Sequence, residues 1–343
     1  MPANPAASFA THSNYLCAAA TIAGFHTLIP NELQILGALV QNCQSSGMYQ
    51  GLTQHQANLV ELRSSLNNAW ASELVLGIAG GFTSADPVIR LANNLGVVQL
   101  YYVLYHATQA FHIATGNPKP TSHPATQRIF TSTWGRPGSL SPWNLTCGTN
   151  GYGQFPTTWQ LDPSVGSFSA CTPTSCWDLF AMALRTTRRD SLVNAYKAKR
   201  EDKARLRKKA WETLEEGRLV KGRKPRKKPA FPKSNLSAAE RTAVNKAVRA
   251  HSLIDYAYRL RIKTQYVDAD MFTEGPQDMT SSGRVNRDIV RLASASLLVA
   301  ELHIARLIGA TAFATIADGW LQTHVNLPAQ LQVGLRVRRH LLP

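Results

Sequence analysis

Cysteine is scarce in this chain of 343 residues, and its five copies are an odd number. A disulfide framework in a secreted protein normally uses an even set of cysteines in a short chain. Residues 1–10 contain no basic residue ahead of an apolar run, which argues against a secretory signal. The sequence therefore predicts a cytoplasmic protein with reduced cysteines.

Several catalytic and metal-binding motifs are also missing. The chain has no glycine-flanked serine, no phosphate-binding glycine loop and no histidine pair at the spacing of a zinc-binding helix. Cys147, Cys171 and Cys176 supply three thiols, but structural zinc sites usually space their cysteines more tightly and in two pairs. We therefore expect no metal and no cofactor, and favour ordinary cysteines over a zinc site.

An uncharged apolar segment of membrane-spanning length is missing too. The long, mostly apolar stretch 292–317 carries Glu301, His303 and Arg306 near its middle. Charged side chains are costly at the centre of a bilayer. This stretch is therefore predicted to be a buried core helix, and no membrane partner is expected.

Acidic residues are few, and the excess of positive charge is confined to one segment. The chain contains 37 Lys/Arg and 21 Asp/Glu, a net charge of +16. Residues 185–263 hold 25 Lys/Arg and 8 Asp/Glu, so that segment has a net charge of +17 and the remainder −1. Such a segment favours polyanionic partners. A solvated helix face followed by a disordered basic arm is the alternative interpretation.

Nucleic acid, RNA favoured and DNA possible, is the expected polyanion. Lys and Arg side chains that neutralise phosphates release counterions, which gives affinity without sequence preference, and Arg adds bidentate geometry. The residues expected to contact phosphate are Arg185, Arg188, Arg189, Lys197, Arg200, Arg205, Arg207, Lys208, Lys209, Arg223, Lys224, Arg226, Lys227 and Lys228.

Apolar residues at helical spacing predict an all-α fold. Helix starts are indicated by Thr53–Gln56 and Ser237–Glu240, which fit capping boxes, and by Asp86 before a proline. The predicted helices include one ending at residues 80–81 and others over 123–131, 176–217, 237–266 and 284–320.

Two blocks of sequence resemble the HEPN superfamily. Residues 101–110 (YYVLYHATQA), followed by 119–130, are similar to its tyrosine-rich helix, turn and short helix. Residues 258–266 (YRLRIKTQY) are similar to the segment that opens its last bundle helices, and 288–308 to its final helix. These blocks cover under half of the chain.

The resemblance implies an antiparallel helical bundle, often a homodimer, that is linked to RNA in prokaryotic defence or toxin–antitoxin systems. Its implied organisation divides the chain into six parts. These are an N-terminal helical segment (1–81), the two halves of the bundle (82–134 and 237–325), an irregular insertion with scattered aromatics (135–175), a basic helix with a Lys/Arg/Pro linker (176–236) and a basic tail (326–343).

Many members of that superfamily are metal-independent ribonucleases with an Arg and a His four to six residues apart. None of the ten histidines here has an arginine five to seven positions before it, and the nearest approach is Lys246 with His251. We therefore expect a nucleic-acid-binding protein without conventional catalysis.

Two alternatives remain open at the level of sequence. The first is a divergent endoribonuclease that uses His106, His112 or His251 with a cation such as Lys246. His106 and His112 lie on different faces of one helix, and His251 lies on an apolar face, so each also has a structural interpretation. The second alternative is a scaffold subunit whose basic arm binds an acidic partner protein.

Overall fold

The structure is a computed structural model that describes residues 4–25, 32–80, 86–136, 138–148, 175–233, 235–324 and 333–342. All regular secondary structure in these ranges is helical, which confirms the all-α prediction. The helices are α1 (Pro5–Ile22), α2 (Glu32–Ser45), α3 (Gly47–Gln50), α4 (Leu59–Gly80), α5 (Asp86–Ala114), α6 (His123–Trp134), α7 (Cys176–Val220), α8 (Ala238–Ala247), α9 (Leu253–Ile262), α10 (Met279–Ile308), α11 (Ala310–Thr323) and α12 (Val333–Arg339).

The chain divides into two compact units. Unit 1 comprises Met1–Thr146, Trp159–Leu184 and His251–Pro343, and unit 2 comprises Cys147–Thr158 and Arg185–Ala250. Helix α7 contributes its first residues to unit 1 and the rest to unit 2. Unit 2 carries 22 Lys/Arg and 7 Asp/Glu, so nearly all of the excess positive charge belongs to it.

Unit 1 is a helical bundle built around α4, α5 and α10. Helices α5 and α10 run in the same direction, since Asn93 near the start of α5 donates to the carbonyl of Ser282 and Phe111 near its end contacts His303. Helix α4 runs opposite to α5, and a Cβ at Gly96 would touch Leu76.

Helix α10 is the predicted buried core helix, but it ends earlier than the sequence pattern indicates. Most of its residues from 285 to 307 are buried. Gly309 has a φ of 89° and separates α10 from α11, so the predicted helix over 284–320 is two helices. A positive φ is favourable only for glycine, which apolar periodicity does not reveal. No helix within the described ranges is long and apolar enough to cross a membrane.

Two other helix boundaries differ from the prediction. The N-cap of α4 is Asn58, whose side chain accepts from the backbone N–H groups of Val60 and Glu61, rather than Thr53. The predicted helix over 237–266 is interrupted between α8 and α9. The Asp255 carboxylate accepts from the N–H of Ser252 at 2.9 Å, and this second cap starts α9 as a new helix.

In the described part of the C-terminal segment, 333–342, the arginines do not form the predicted basic patch. Arg338 is completely buried in unit 1, and Arg339 forms an ion pair with Asp318. Only Arg336 of the three arginines is exposed.

Most of the predicted irregular insertion, residues 149–174, lies outside the described residues. In the part that is described, Trp143 is buried and donates to the hydroxyl of Ser296 at 3.0 Å.

Candidate nucleic-acid interface

The basic helix forms although it has few apolar residues. Residues 185–216 of α7 contain neither proline nor glycine, and most are good helix formers. Charged pairs at helical spacing add small increments of stability. One such pair is Asp202 with Arg205, whose side chains are 2.8 Å apart, and another is Lys208 with Glu212 at 3.9 Å.

The linker after α7 folds back along the helix. Its residues 223–233 are extended, and they pair in reverse order with acidic residues of α7. Such an order is what an antiparallel chain running beside the helix requires. The ion pairs are Arg226 with Glu215 (2.6 Å), Lys228 with Glu212 (2.7 Å) and Lys233 with Glu201 (2.6 Å).

Further contacts fix the linker to α7. The ring of Phe231 meets that of Trp211 edge to face, with centroids 6.3 Å apart, and Arg207 donates to the carbonyl of Pro232. Glu215 accepts from both the backbone N–H and the Nε of Arg226, each at 2.6 Å. These hydrogen bonds from Arg226 lower the pKa of Glu215.

The same ion pairs divide the cations of unit 2 into two groups. Five of its seven carboxylates, namely Glu201, Asp202, Glu212, Glu215 and Glu240, are already in ion pairs with Lys or Arg. A second group of cations on α7 and the linker is exposed and forms neither an ion pair nor a side-chain hydrogen bond with any described residue; Lys197, whose charge acts on Glu201, is left out of it. The members of this group are Arg189, Lys199, Arg200, Lys209, Lys221, Arg223, Lys224 and Lys227, called the exposed cation set below.

The predicted phosphate-contacting residues therefore have different surroundings. Six of them belong to the exposed cation set, and Arg205, Arg207, Lys208, Arg226 and Lys228 are exposed but already hold a partner. Arg188 is 2% exposed, and its Nη2 donates to the carbonyls of Asn245 and Val248 at 3.1 and 3.0 Å. Its guanidinium therefore holds α7 to the end of α8. Arg185 is half-buried, and Lys197 is exposed beside Glu201.

Lys199 and Lys221 were missed by the sequence prediction. Both are exposed cations of unit 2 without an ion pair among the described residues. Lys199 directly precedes Arg200, which was predicted, whereas Lys221 stands between Val220 and Gly222. Only the ion pairs between the linker and α7 show which exposed cations remain without an ion pair.

The four predicted catalytic residues have different surroundings. His106 is half-buried on α5, where its ring stacks on Tyr102 and its Nδ1 lies 3.2 Å from Oε1 of Gln109. His112 is in the last turn of the same helix, and burial lowers its pKa. His251 is 6% exposed in unit 1, and Lys246 is exposed in unit 2. A six-residue separation on α5 keeps the first two histidines on different faces.

The described residues offer no evident metal site. No group of three His, Cys, Asp or Glu side chains within the described ranges could hold an ion. Cys147 and Cys176 are buried, and burial raises the pKa of the Cys147 thiol to about 11. Cys171, the third thiol of the sequence analysis, lies outside the described residues.

No family model, no curated protein and no solved structure matches the chain.

Proposed function

We propose that this protein binds nucleic acid through unit 2, with phosphates held by the exposed cation set and with RNA preferred to DNA. The observation that carries the proposal is the division of charge within unit 2. Five of its seven carboxylates are already in ion pairs, three of them with linker cations, while the eight residues of the exposed cation set have no ion pair with a described residue. Phosphates supply the missing negative charge and release counterions on binding.

The preference for RNA and a role in prokaryotic defence rest on the HEPN resemblance alone. Charge by itself favours any polyanion, and an extended phosphate backbone suits cations spread over a long helix and a linker. Under this proposal the bundle of unit 1 is a scaffold without conventional catalysis.

The test compares single-stranded RNA, single-stranded DNA and duplex DNA at several salt concentrations. Lys209, Lys224 and Lys227 are replaced together by Gln, since all three are exposed and none has an ion pair to lose within the described structure. The expected result is a loss of affinity of about tenfold or more. The dependence of log Kd on log salt should also become shallower by up to about 2 for a single strand.

The matched control replaces Arg63, Arg128 and Arg284 by Gln, which removes the same charge from exposed positions of unit 1. This control should change the affinity less than twofold. Equal losses in the two triple variants would show that net charge alone governs binding. Unchanged affinity and salt dependence in the unit 2 variant would refute the proposed interface. A protein partner that stays bound after nuclease treatment would favour the scaffold hypothesis instead.

A further inference from the structure

A second concentration of cationic and hydrogen-bonding groups lies in unit 1, away from the basic segment. The guanidinium of Arg261 on α9 stacks against the rings of Tyr101, Tyr102 and Tyr258, with its Cζ at 5.5, 5.1 and 5.9 Å from their centroids. The tyrosine faces stabilise the cation and hold its plane fixed. No described carboxylate forms an ion pair with Arg261, which leaves its charge uncompensated.

Two histidines adjoin this stack. The Nδ1 of His123, in the first turn of α6, lies 2.6 Å from the hydroxyl of Tyr101. On the other side His106 stacks on Tyr102 at 5.9 Å between ring centroids. The two resembling blocks therefore meet at this stack, with 101–106 and His123 from the first and 258–261 from the second, although the blocks are far apart in the chain. We call Tyr101, Tyr102, His106, His123, Tyr258 and Arg261 the Tyr–His–Arg cluster.

The charged groups that act on His106 and His123 are all positive. Burial lowers the pKa of His106, with Lys119 and His123 adding to the effect. Burial and Arg261 lower the pKa of His123. An imidazole beside other cations holds its proton weakly, and a bound anion reverses that effect. The cluster thus combines an oriented guanidinium, a lysine at its edge and two histidines that can become donors.

We propose that the Tyr–His–Arg cluster is a binding site for a phosphoryl group. The Arg261 guanidinium provides a planar fork of donors that matches phosphate geometry. The half-buried Tyr102 and Tyr258 hydroxyls, neither of which has a hydrogen bond to a described residue, add donors around that fork. The imidazoles of His106 and His123 add the ring nitrogens that Gln109 and Tyr101 do not occupy. Partial burial strengthens each contact relative to open solvent. All but Tyr101 of the six side chains retain some exposure, so a ligand can reach them.

The phosphoryl group has two possible sources, a small phosphate monoester or an internal phosphate of a nucleic acid strand. The experiment measures binding of inorganic phosphate, adenosine monophosphate and a short single-stranded RNA to the full chain by titration calorimetry. Wild type is compared with Arg261→Gln, Arg261→Lys and the control Arg128→Gln, an exposed position on α6. Binding should weaken at least tenfold in Arg261→Gln and by less in Arg261→Lys, and should be unchanged in the control.

The pH dependence of phosphate binding is a second measurement, and a purely structural role of Arg261 would not affect it. The groups facing the two imidazoles are the tyrosines of α5 and Tyr258, together with the cations Lys119 and Arg261. Phosphate binding should therefore take up protons and tighten as the pH falls from 8 towards 6, and this slope should shrink in His123→Gln.

The results distinguish the two sources of the phosphoryl group, and they also distinguish the Tyr–His–Arg cluster from the unit 2 interface. Loss of phosphate and monophosphate binding assigns the cluster to a small ligand, whereas loss confined to RNA assigns it to a strand. Phosphate binding should survive the Lys209, Lys224 and Lys227 triple variant, so this site and the unit 2 interface can fail separately. If Arg261→Gln does not fold by circular dichroism, Lys119→Gln decides, with a several-fold loss expected. No binding of any probe, or equal binding in every folded variant, would overturn the proposal.

Discussion

Arg338 and Glu301 form a bidentate ion pair in the interior of unit 1. The Nε and Nη2 of Arg338 each lie 2.8 Å from one oxygen of the Glu301 carboxylate, and both side chains are completely buried. The indole N–H of Trp70 donates to the same carboxylate at 2.8 Å, and Glu73 accepts from the other side of the guanidinium. A charge in the middle of an apolar core helix is thereby paired with an arginine of the C-terminal helix.

This network predicts that Arg338→Met destabilises the protein strongly. Removal of one partner leaves Glu301 and Glu73 buried without their cation, and such a loss typically costs about 3–5 kcal/mol. Urea unfolding followed by circular dichroism measures the change in the free energy of unfolding. The control Arg336→Met, at an exposed position two residues earlier, should change it by less than about 0.5 kcal/mol. Similar stability of both variants would contradict the role assigned to the buried pair.

Glu215 is predicted to hold the linker against α7. Replacement by Gln removes the negative charge and one of the two oxygens that accept from Arg226, so the linker should detach more often and trypsin should cut residues 223–228 several-fold faster. Glu216→Gln is the matched control, because its side chain is exposed and forms no ion pair with a described residue. Identical cleavage of the two variants would exclude this role.

The pH dependence of the same contact has a defined sign. Hydrogen bonds from Arg226 lower the pKa of Glu215. The contact is therefore fully present above the ordinary glutamate pKa and is lost as the pH falls through the lowered folded-state value. Wild-type cleavage by an acid-tolerant protease should rise in that acid range, whereas Glu215→Gln should respond less.

His303 is predicted to make unit 1 sensitive to mild acid. Burial lowers its pKa from 6.5 to about 4, and its ring contacts Tyr49 and Trp134. The neutral ring is favoured in the folded state, so its contribution is complete above pH 6.5 and decreases by up to about 3 kcal/mol as the pH falls to 4. His303→Phe should flatten the pH dependence of the free energy of unfolding in that range. His55→Gln, at an exposed position, should leave the slope as in wild type.

The binding proposal also predicts that total RNA stays intact during incubation with excess protein in a chelator. Among the predicted catalytic residues, His251 is buried. Cleavage that disappears in His106→Ala or His112→Ala, and persists in His55→Ala, would favour the ribonuclease alternative. Electrophoresis of the RNA over several hours provides the measurement.

The all-α fold class and the charge distribution could be predicted from the sequence, because both depend on residues that are close together in the chain. Apolar spacing indicated the helices, and Ser237 with Glu240 forms the predicted capping box. Boundaries were missed where a single residue overrides the periodicity, as at Gly309 and at the Ser252 cap. The absence of an Arg–His motif could also be read directly, but its absence in sequence says nothing about residues that meet through folding.

By itself, the sequence determined that the chain is helical and that its positive charge is confined to residues 185–263. The tertiary structure decided which of those cations are available, because the linker returns along α7 and its partners are far apart in the chain. It also decided that Arg338 is a core residue, since only folding brings it to Glu301. Pairing between distant residues depends on the path of the backbone, which local composition does not specify.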